Sequence, residues 1–133
     1  MKECGFAPVT LTPFQTGYTY QMRCQLYVLE AHAPGGRTIP AGVVLRDLAS
    51  ARFYSCIRQE WDGDYWPDDP DNSVILTEFA REFREQLDNG VSDMLHQLLD
   101  EASLTVRIQD CGIIETDSPE QEISQRASDL GIA

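Results

Sequence analysis

Residues Tyr18–Leu29 read Tyr-Thr-Tyr-Gln-Met-Arg-Cys-Gln-Leu-Tyr-Val-Leu, and their alternation decides the fold that the sequence predicts. Every even position from Tyr18 to Val28 is apolar or aromatic, whereas the odd positions are polar until Tyr27 and Leu29. Successive side chains of a strand point to opposite faces, so this pattern predicts a long β-strand with one buried face and one more polar face. We expect a small antiparallel sheet to form around this strand.

Further strands are predicted before and after this stretch. A short edge strand is predicted over Val9–Thr12, and two strands over Gly42–Leu48 and Arg52–Ile57 are joined by a short link that makes them a hairpin. Leu104–Gln109 alternates apolar and polar residues, and Cys111–Ile114 either extends this strand or pairs with it. The sheet is therefore expected to have four or five strands, mostly antiparallel.

Helices are predicted in the second half of the chain. Apolar residues recur at helical spacing over Leu76–Leu87 and again over Val91–Ala102, with a glycine stop signal between the two stripes. A short third helix is predicted from an N-cap at Ser118, with a proline at its first position. This order predicts an α+β domain over residues 1–117, with the helical hairpin packed on one face of the sheet. Residues 118–133 are expected either to dock on this domain or to contact a partner.

The net charge of −12 is concentrated in the second part of the chain. Residues 1–57 carry five basic and three acidic groups, whereas residues 58–133 carry five basic and nineteen acidic groups. Such a surface argues against direct binding of nucleic acid, which requires clustered Lys and Arg. It favours a protein partner with a basic surface, because opposite charges steer association. Solubility alone is the alternative explanation.

The cysteines carry no motif. Cys4, Cys24, Cys56 and Cys111 have neither the spacing of a zinc site nor a Cys-x-x-Cys pair. We expect reduced structural thiols, with a disulfide or a reactive site as the alternatives. No apolar run is long enough to span a bilayer, and the first residues do not resemble a secretory signal. A cytoplasmic protein without a cofactor and without membrane association is expected.

The loop before the first helix is the candidate functional region. It combines aromatic residues with carboxylates, and Pro67 and Pro70 stiffen it. Exposed Trp and Tyr side chains beside charged groups are typical of protein interfaces, so a partner-binding site is predicted. Its predicted residues are Trp61, Asp62, Asp64, Tyr65, Trp66, Asp68, Asp69 and Asp71. The alternative is that both tryptophans pack on the core while the aspartates face solvent.

A divalent cation is a further alternative for the same carboxylates. Asp62-Gly63-Asp64 resembles the start of a calcium loop, but an EF-hand requires glycine at its sixth position, where this chain has Pro67. The alternative function is a small metal-dependent hydrolase or nuclease that uses the aspartates with His32 or Glu60, the metal ion activating water.

No nucleotide-binding, serine-hydrolase or zinc-protease motif occurs in the chain. The leading hypothesis is therefore a non-catalytic acidic interaction protein, such as an inhibitor, an antitoxin-like regulator or an adaptor, that binds a basic protein partner. No catalytic residue is predicted, and self-association is compatible with this hypothesis.

Overall fold

The computed structural model describes residues 21–61, 65–69, 71–100 and 106–132. The predicted strand Val9–Thr12 and the first residues of the predicted Tyr18–Leu29 strand lie outside these ranges. The described strands are β1 (Met22–Ala33), β2 (Arg37–Asp47), β3 (Phe53–Ile57) and β4 (Val106–Thr116), and the described helices are α1 (Asp71–Asp88), α2 (Asp93–Asp100) and α3 (Pro119–Asp129).

The four strands form one antiparallel sheet in the order β3-β2-β1-β4. β1 is an inner strand, with Leu26 opposite Leu45 of β2 and Cys24 opposite Ile114 of β4. The predicted hairpin is confirmed, since β2 and β3 pair directly. These strands, together with the three helices, confirm the predicted α+β class.

β4 is one continuous strand that contains Cys111–Ile114, so this segment extends the strand predicted before it and does not pair with it. Gln25 of β1 pairs with Ile113, but Tyr27 pairs with Asp110, so β4 carries one extra residue at this point. Gly112 lies in this bulge with a φ of 85°, a conformation that glycine adopts without a steric penalty. The Asp110 carboxylate accepts a hydrogen bond from the Gly112 amide at 2.9 Å. The bulge lets a single strand follow β1 along its length.

Both faces of β1 are covered, which differs from the single buried face that the sequence predicted. Cys24 and Leu26 pack with Ile123 of α3 on one face, whereas Tyr27 and Leu29 pack with α1 and α2 on the other. The odd positions turn apolar from Tyr27 onward, because there the second face of the strand also enters a core.

α1 supplies the helical side of the larger core. Its predicted apolar stripe is confirmed, with Leu76, Ala80, Phe83 and Leu87 all buried. The Phe83 ring stacks on Phe79 with 5.5 Å between ring centroids. α2 contributes Leu95, which is fully buried in the same cluster.

α3 docks on the opposite face of the sheet. The Ser118 hydroxyl accepts a hydrogen bond from the Gln121 amide at 3.4 Å, and Pro119 is the first helical residue, so the predicted start of this helix is confirmed. Ile123 lies in the smaller core. Arg126 is also buried, and its Nε lies 2.7 Å from Glu122 Oε2 on the same helix. A buried arginine needs such a partner, because an isolated charge is costly to desolvate.

Two cysteines match the predicted state and one does not. Cys24 and Cys56 are free thiols. Cys111 is disulfide-bonded, so the expectation of reduced thiols is wrong for this residue. Spacing in sequence does not reveal a bridge between residues that only folding brings together.

The α3 contact can be tested through Cys24. Burial raises the pKa of the Cys24 thiol to about 11, and the carboxylates of Asp47 and Glu122 act in the same direction. Only the thiolate is alkylated, so we expect Cys24 of the folded protein to react with iodoacetamide about 100-fold more slowly than in urea at pH 8, with the rate rising toward pH 11. Residue-resolved mass spectrometry measures both rates.

The Ser118→Ala variant links this reactivity to the docking of α3. Loss of an N-cap costs about 1 kcal/mol, so we expect Cys24 to be alkylated about fivefold faster than in the wild type. Ser124→Ala changes an exposed serine of the same helix and should leave the rate unchanged. Equal Cys24 rates in native and urea-treated wild type would show that α3 does not cover this thiol.

Candidate functional site

The predicted loop is organised around a buried tryptophan. Trp66 is only 3% exposed and belongs to the larger core, whereas Trp61 and Tyr65 are half-buried at its edge. The Trp66 ring centroid lies 6.1 Å from that of Trp61 and 5.8 Å from that of Tyr65, which it meets edge-on at 85°. Asp62 and Asp64 lie outside the described residues. Trp66 therefore anchors the loop in the core, while its two aromatic neighbours remain partly accessible.

The first part of the loop is fixed to β2 by Arg58. The Arg58 Nε donates a hydrogen bond to the Pro40 carbonyl at 2.8 Å. The Arg58 guanidinium also lies 5.5 Å from the Trp61 ring centroid, and the Trp61 indole N–H donates to the Arg58 carbonyl at 3.2 Å. Such cation–π contacts contribute about 0.5–1 kcal/mol at exposed sites. The orientation of Trp61 is thus set by β2.

A second arginine holds the other half of the loop. Arg37, the first residue of β2, donates from Nη2 to the Tyr65 carbonyl at 2.8 Å, and its guanidinium lies 6.0 Å from the Tyr65 ring centroid. Its Nε donates to the Pro34 carbonyl at 3.3 Å. Arg37 therefore links the turn between β1 and β2 to the aromatic loop.

An open cavity of about 610 Å³ lies beside this loop. Its walls combine two aromatic rings, a guanidinium, a carboxylate and aliphatic carbon, from Trp61, Tyr65, Arg58, Glu60, Gln59 and Ile132. The structure thus brings two of the predicted residues, Trp61 and Tyr65, to one concave surface. It also brings Ile132, which lies far away in the sequence, to the same place.

The described aspartates of the loop follow Trp66 in the chain and lead into α1. Asp68, Asp69 and Asp71 are exposed. The Asp69 amide donates to the Trp66 carbonyl at 3.1 Å, which closes a turn directly after the buried ring. α1 starts at Asp71, where a carboxylate interacts favourably with the helix dipole. The buried anchor and this turn give the three carboxylates a fixed position at the start of α1.

Two apolar residues of α1 were missed by the sequence analysis. Val74 and Ile75 are 60% and 62% exposed. At 3.6 residues per turn, neither position falls on the buried stripe, and a helical wheel would have shown this. Both positions share the outer face of α1 with Asp71 and Glu78, which are three or four positions away, and with Glu82 one further turn along the helix.

The alternative metal-dependent function requires several side chains that converge on one ion. No group of three or more His, Cys, Asp or Glu side chains within the described ranges is arranged to hold a metal ion. His32 Nε2 lies 3.5 Å from Glu30 Oε1 on the same strand. Because Asp62 and Asp64 fall outside these ranges, the predicted metal-dependent activity stays a prediction. None of the described helices is both long and apolar enough to cross a membrane.

Comparison of the chain with protein-family models, with functionally characterised proteins and with solved structures found no match. The chemistry of the site therefore has to be inferred from its own residues.

The anchoring role of Trp66 predicts unequal effects of two tryptophan substitutions. Trp66→Ala removes a fully packed indole and should lower the free energy of unfolding by about 3–5 kcal/mol. Trp61→Ala removes a half-buried ring and one hydrogen bond, and should lower it by about 1–2 kcal/mol. Urea denaturation followed by circular dichroism measures both values. A Trp66 variant that is as stable as the Trp61 variant would contradict the assignment of Trp66 to the core.

Proposed function

We propose that the protein is a non-catalytic interaction protein, an inhibitor, an antitoxin-like regulator or an adaptor, that binds a basic protein partner. Its contact surface, called here the acidic face, consists of Asp68, Asp69, Asp71, Val74, Ile75, Glu78 and Glu82. The observation that carries the proposal is the exposed Val74–Ile75 pair, with the exposed carboxylates of Asp71 and Glu78 one turn away on the same helix.

The composition of the acidic face matches that of protein interfaces. These combine an apolar centre, which supplies affinity when water is removed, with a polar rim that selects the partner. Val74 and Ile75 supply the apolar centre, and the aspartates and glutamates supply the rim. Arg81, on the same side of α1, lies 3.5 Å from Glu85 in an exposed ion pair, which offsets part of its positive charge.

The loop is held in place before any partner arrives. Trp66 is buried, and Arg37 and Arg58 tie the flanking residues to β2. A preorganised loop loses less conformational entropy on binding, which favours affinity. Trp61 and Tyr65 extend the contact surface toward the cavity, and Asp62 and Asp64, which belong to the same loop, add negative charge. All of the site residues predicted from the sequence except Trp66 therefore remain part of the proposed interface, and the buried Trp66 anchors the loop that presents them.

The proposal places the protein in the cytoplasm, away from membranes and without direct contact to nucleic acid. The free thiols of Cys24 and Cys56 agree with a reducing compartment, whereas the disulfide at Cys111 is more typical of an oxidising one. A homo-oligomer is compatible with this function when its interface leaves the acidic faces of both copies open to a basic partner.

Removal of the apolar centre should abolish capture of the partner. We expect the wild-type protein to recover a basic protein from source lysate at about 50 mM salt and to lose it near 500 mM, where surface charges are screened. Val74→Ser/Ile75→Ser should recover about tenfold less of the same protein, because the contact loses its desolvated centre. Quantitative mass spectrometry of the bound fraction gives the ratio.

Two matched controls separate the acidic face from general surface effects. Leu48→Ser/Ile113→Ser removes two exposed apolar side chains elsewhere and should leave capture unchanged. Asp68→Asn/Asp69→Asn/Asp71→Asn should weaken capture, whereas Asp88→Asn/Asp93→Asn/Asp100→Asn, with the same change of net charge, should not. Equal capture by all four variants, or capture that is insensitive to salt, would refute the proposal.

A further inference from the structure

β3 is an edge strand, and its pairing with β2 defines which of its backbone groups point outward. Of these groups, the Ile57 carbonyl accepts a hydrogen bond from Gln59 Nε2 at 3.0 Å. Among the described strands, only β2 pairs with it. The Arg58 amide donates to the Ala41 carbonyl and the Asp47 amide to the Arg52 carbonyl, each at 2.8 Å, so these two pairs are hydrogen-bonded. Hydrogen-bonded and non-hydrogen-bonded pairs alternate along an antiparallel ladder. The alternation directs the N–H and C=O groups of Phe53, Ser55 and Ile57 away from β2.

Three arginines lie near this edge, although the protein as a whole is strongly acidic. The Arg52 guanidinium lies 5.0 Å from the Tyr54 ring centroid, and that of Arg46 lies 5.5 Å from the Phe53 ring centroid. Arg58 stands at the carboxyl end of the strand over Trp61. Arg46 belongs to β2, and Arg58 donates from Nε to the Pro40 carbonyl of β2 at 2.8 Å, whereas Arg52 directly precedes β3. The edge of β3 therefore carries local positive charge on a chain whose net charge is −12.

The cavity beside the aromatic loop is continuous with the carboxyl end of β3. Ile57, the last residue of the strand, and Arg58 both line it. A chain that pairs with β3 and extends past Ile57 would reach this cavity. The edge and the cavity together provide backbone pairing, positive charge and room for one further side chain.

We propose that the edge of β3, which no described strand except β2 pairs with, binds an extended acidic segment of a partner protein as an additional strand of the sheet. Strand addition of this kind takes its affinity from backbone hydrogen bonds and its specificity from side chains on alternate positions. Arg52 and Arg58 are six residues apart, about 20 Å along a strand, so the segment carries two carboxylates at the same separation. This inference does not depend on the proposed basic partner, which uses a different surface of opposite charge.

A second copy of the chain fits this edge less well than an acidic segment. Two β3 strands paired antiparallel about Ser55 would place Arg52 of each copy opposite Arg58 of the other. Like charges directly opposite each other destabilise a strand pair. Two chains with a net charge of −12 would also repel each other at long range.

The probe is the capped peptide Glu-Val-Thr-Val-Thr-Val-Glu, whose glutamates are six residues apart and share one face of a strand. We expect it to slow the amide exchange of Phe53, Ser55 and Ile57 selectively, and to bind with an affinity that falls as salt rises. The same peptide with lysine in place of glutamate, and a version N-methylated at its three valines, should each bind at least about tenfold more weakly. Isothermal titration and amide exchange by NMR give the affinities and the location.

Substitutions in the protein test the same pairing. Ser55→Pro removes an outward N–H that β2 does not use, so it should abolish peptide binding, while Ser55→Thr keeps that N–H and should bind normally. Arg52→Glu should weaken binding about tenfold, whereas Arg81→Glu, which makes the same charge change on α1, should not. If the proline variant does not fold, the comparison of Arg52→Glu with Arg81→Glu tests the strand-addition proposal by itself.

Three results would overturn the inference. These are absence of binding by the acidic peptide, equal binding of the lysine or N-methylated peptide, and protection of amides outside β3. A dimer in which the β3 amides are already protected without peptide would assign the edge to a second copy instead. None of these results bears on capture of a basic protein by the acidic face, so the two proposals fail independently.

Discussion

The burial of β1 on both faces is the constraint on which the rest of the structure depends, because it requires a layer of helix on each side of the sheet. α1 and α2 cover Tyr27 and Leu29, and α3 covers Cys24 and Leu26. Burying each large apolar side chain contributes about 1.5–3 kcal/mol, so neither layer can leave without a large loss of stability. The three-layer arrangement confines unpaired backbone to the edges of the sheet, which among the described strands are β3 and β4.

The sequence predicted helices and strands correctly where a single local pattern runs through the whole segment. The α1 stripe, the capped start of α3 and the β2–β3 hairpin all follow from local patterns that the structure confirms. The second covered face of β1 was not predicted, since an apolar residue in a strand does not specify which helix covers it. The disulfide at Cys111 was missed for a related reason, because local spacing carries no information about long-range proximity.

The sequence predicted which segment forms the candidate site, but not how the side chains of that segment are arranged in space. Trp61 and Trp66 lie in the same aromatic and acidic stretch of the sequence, yet Trp61 is half-buried whereas Trp66 belongs to the core. That difference arises from the direction in which the loop leaves β3 and enters α1, which no local pattern encodes. Exposure of Val74 and Ile75 was accessible from the sequence, since a helical wheel places both outside the buried stripe.

The anchoring of Trp66 explains how two oppositely charged surfaces can coexist on so small a chain. The loop follows the carboxyl end of β3, is anchored by the buried Trp66 indole, and continues to Asp68 and Asp69, the first residues of the acidic face. Exposed charges on different surfaces interact through the salt solution, where a Debye length of about 8 Å at physiological ionic strength weakens their mutual attraction. Each surface can therefore select its own partner, and the rigid core between them fixes their relative orientation.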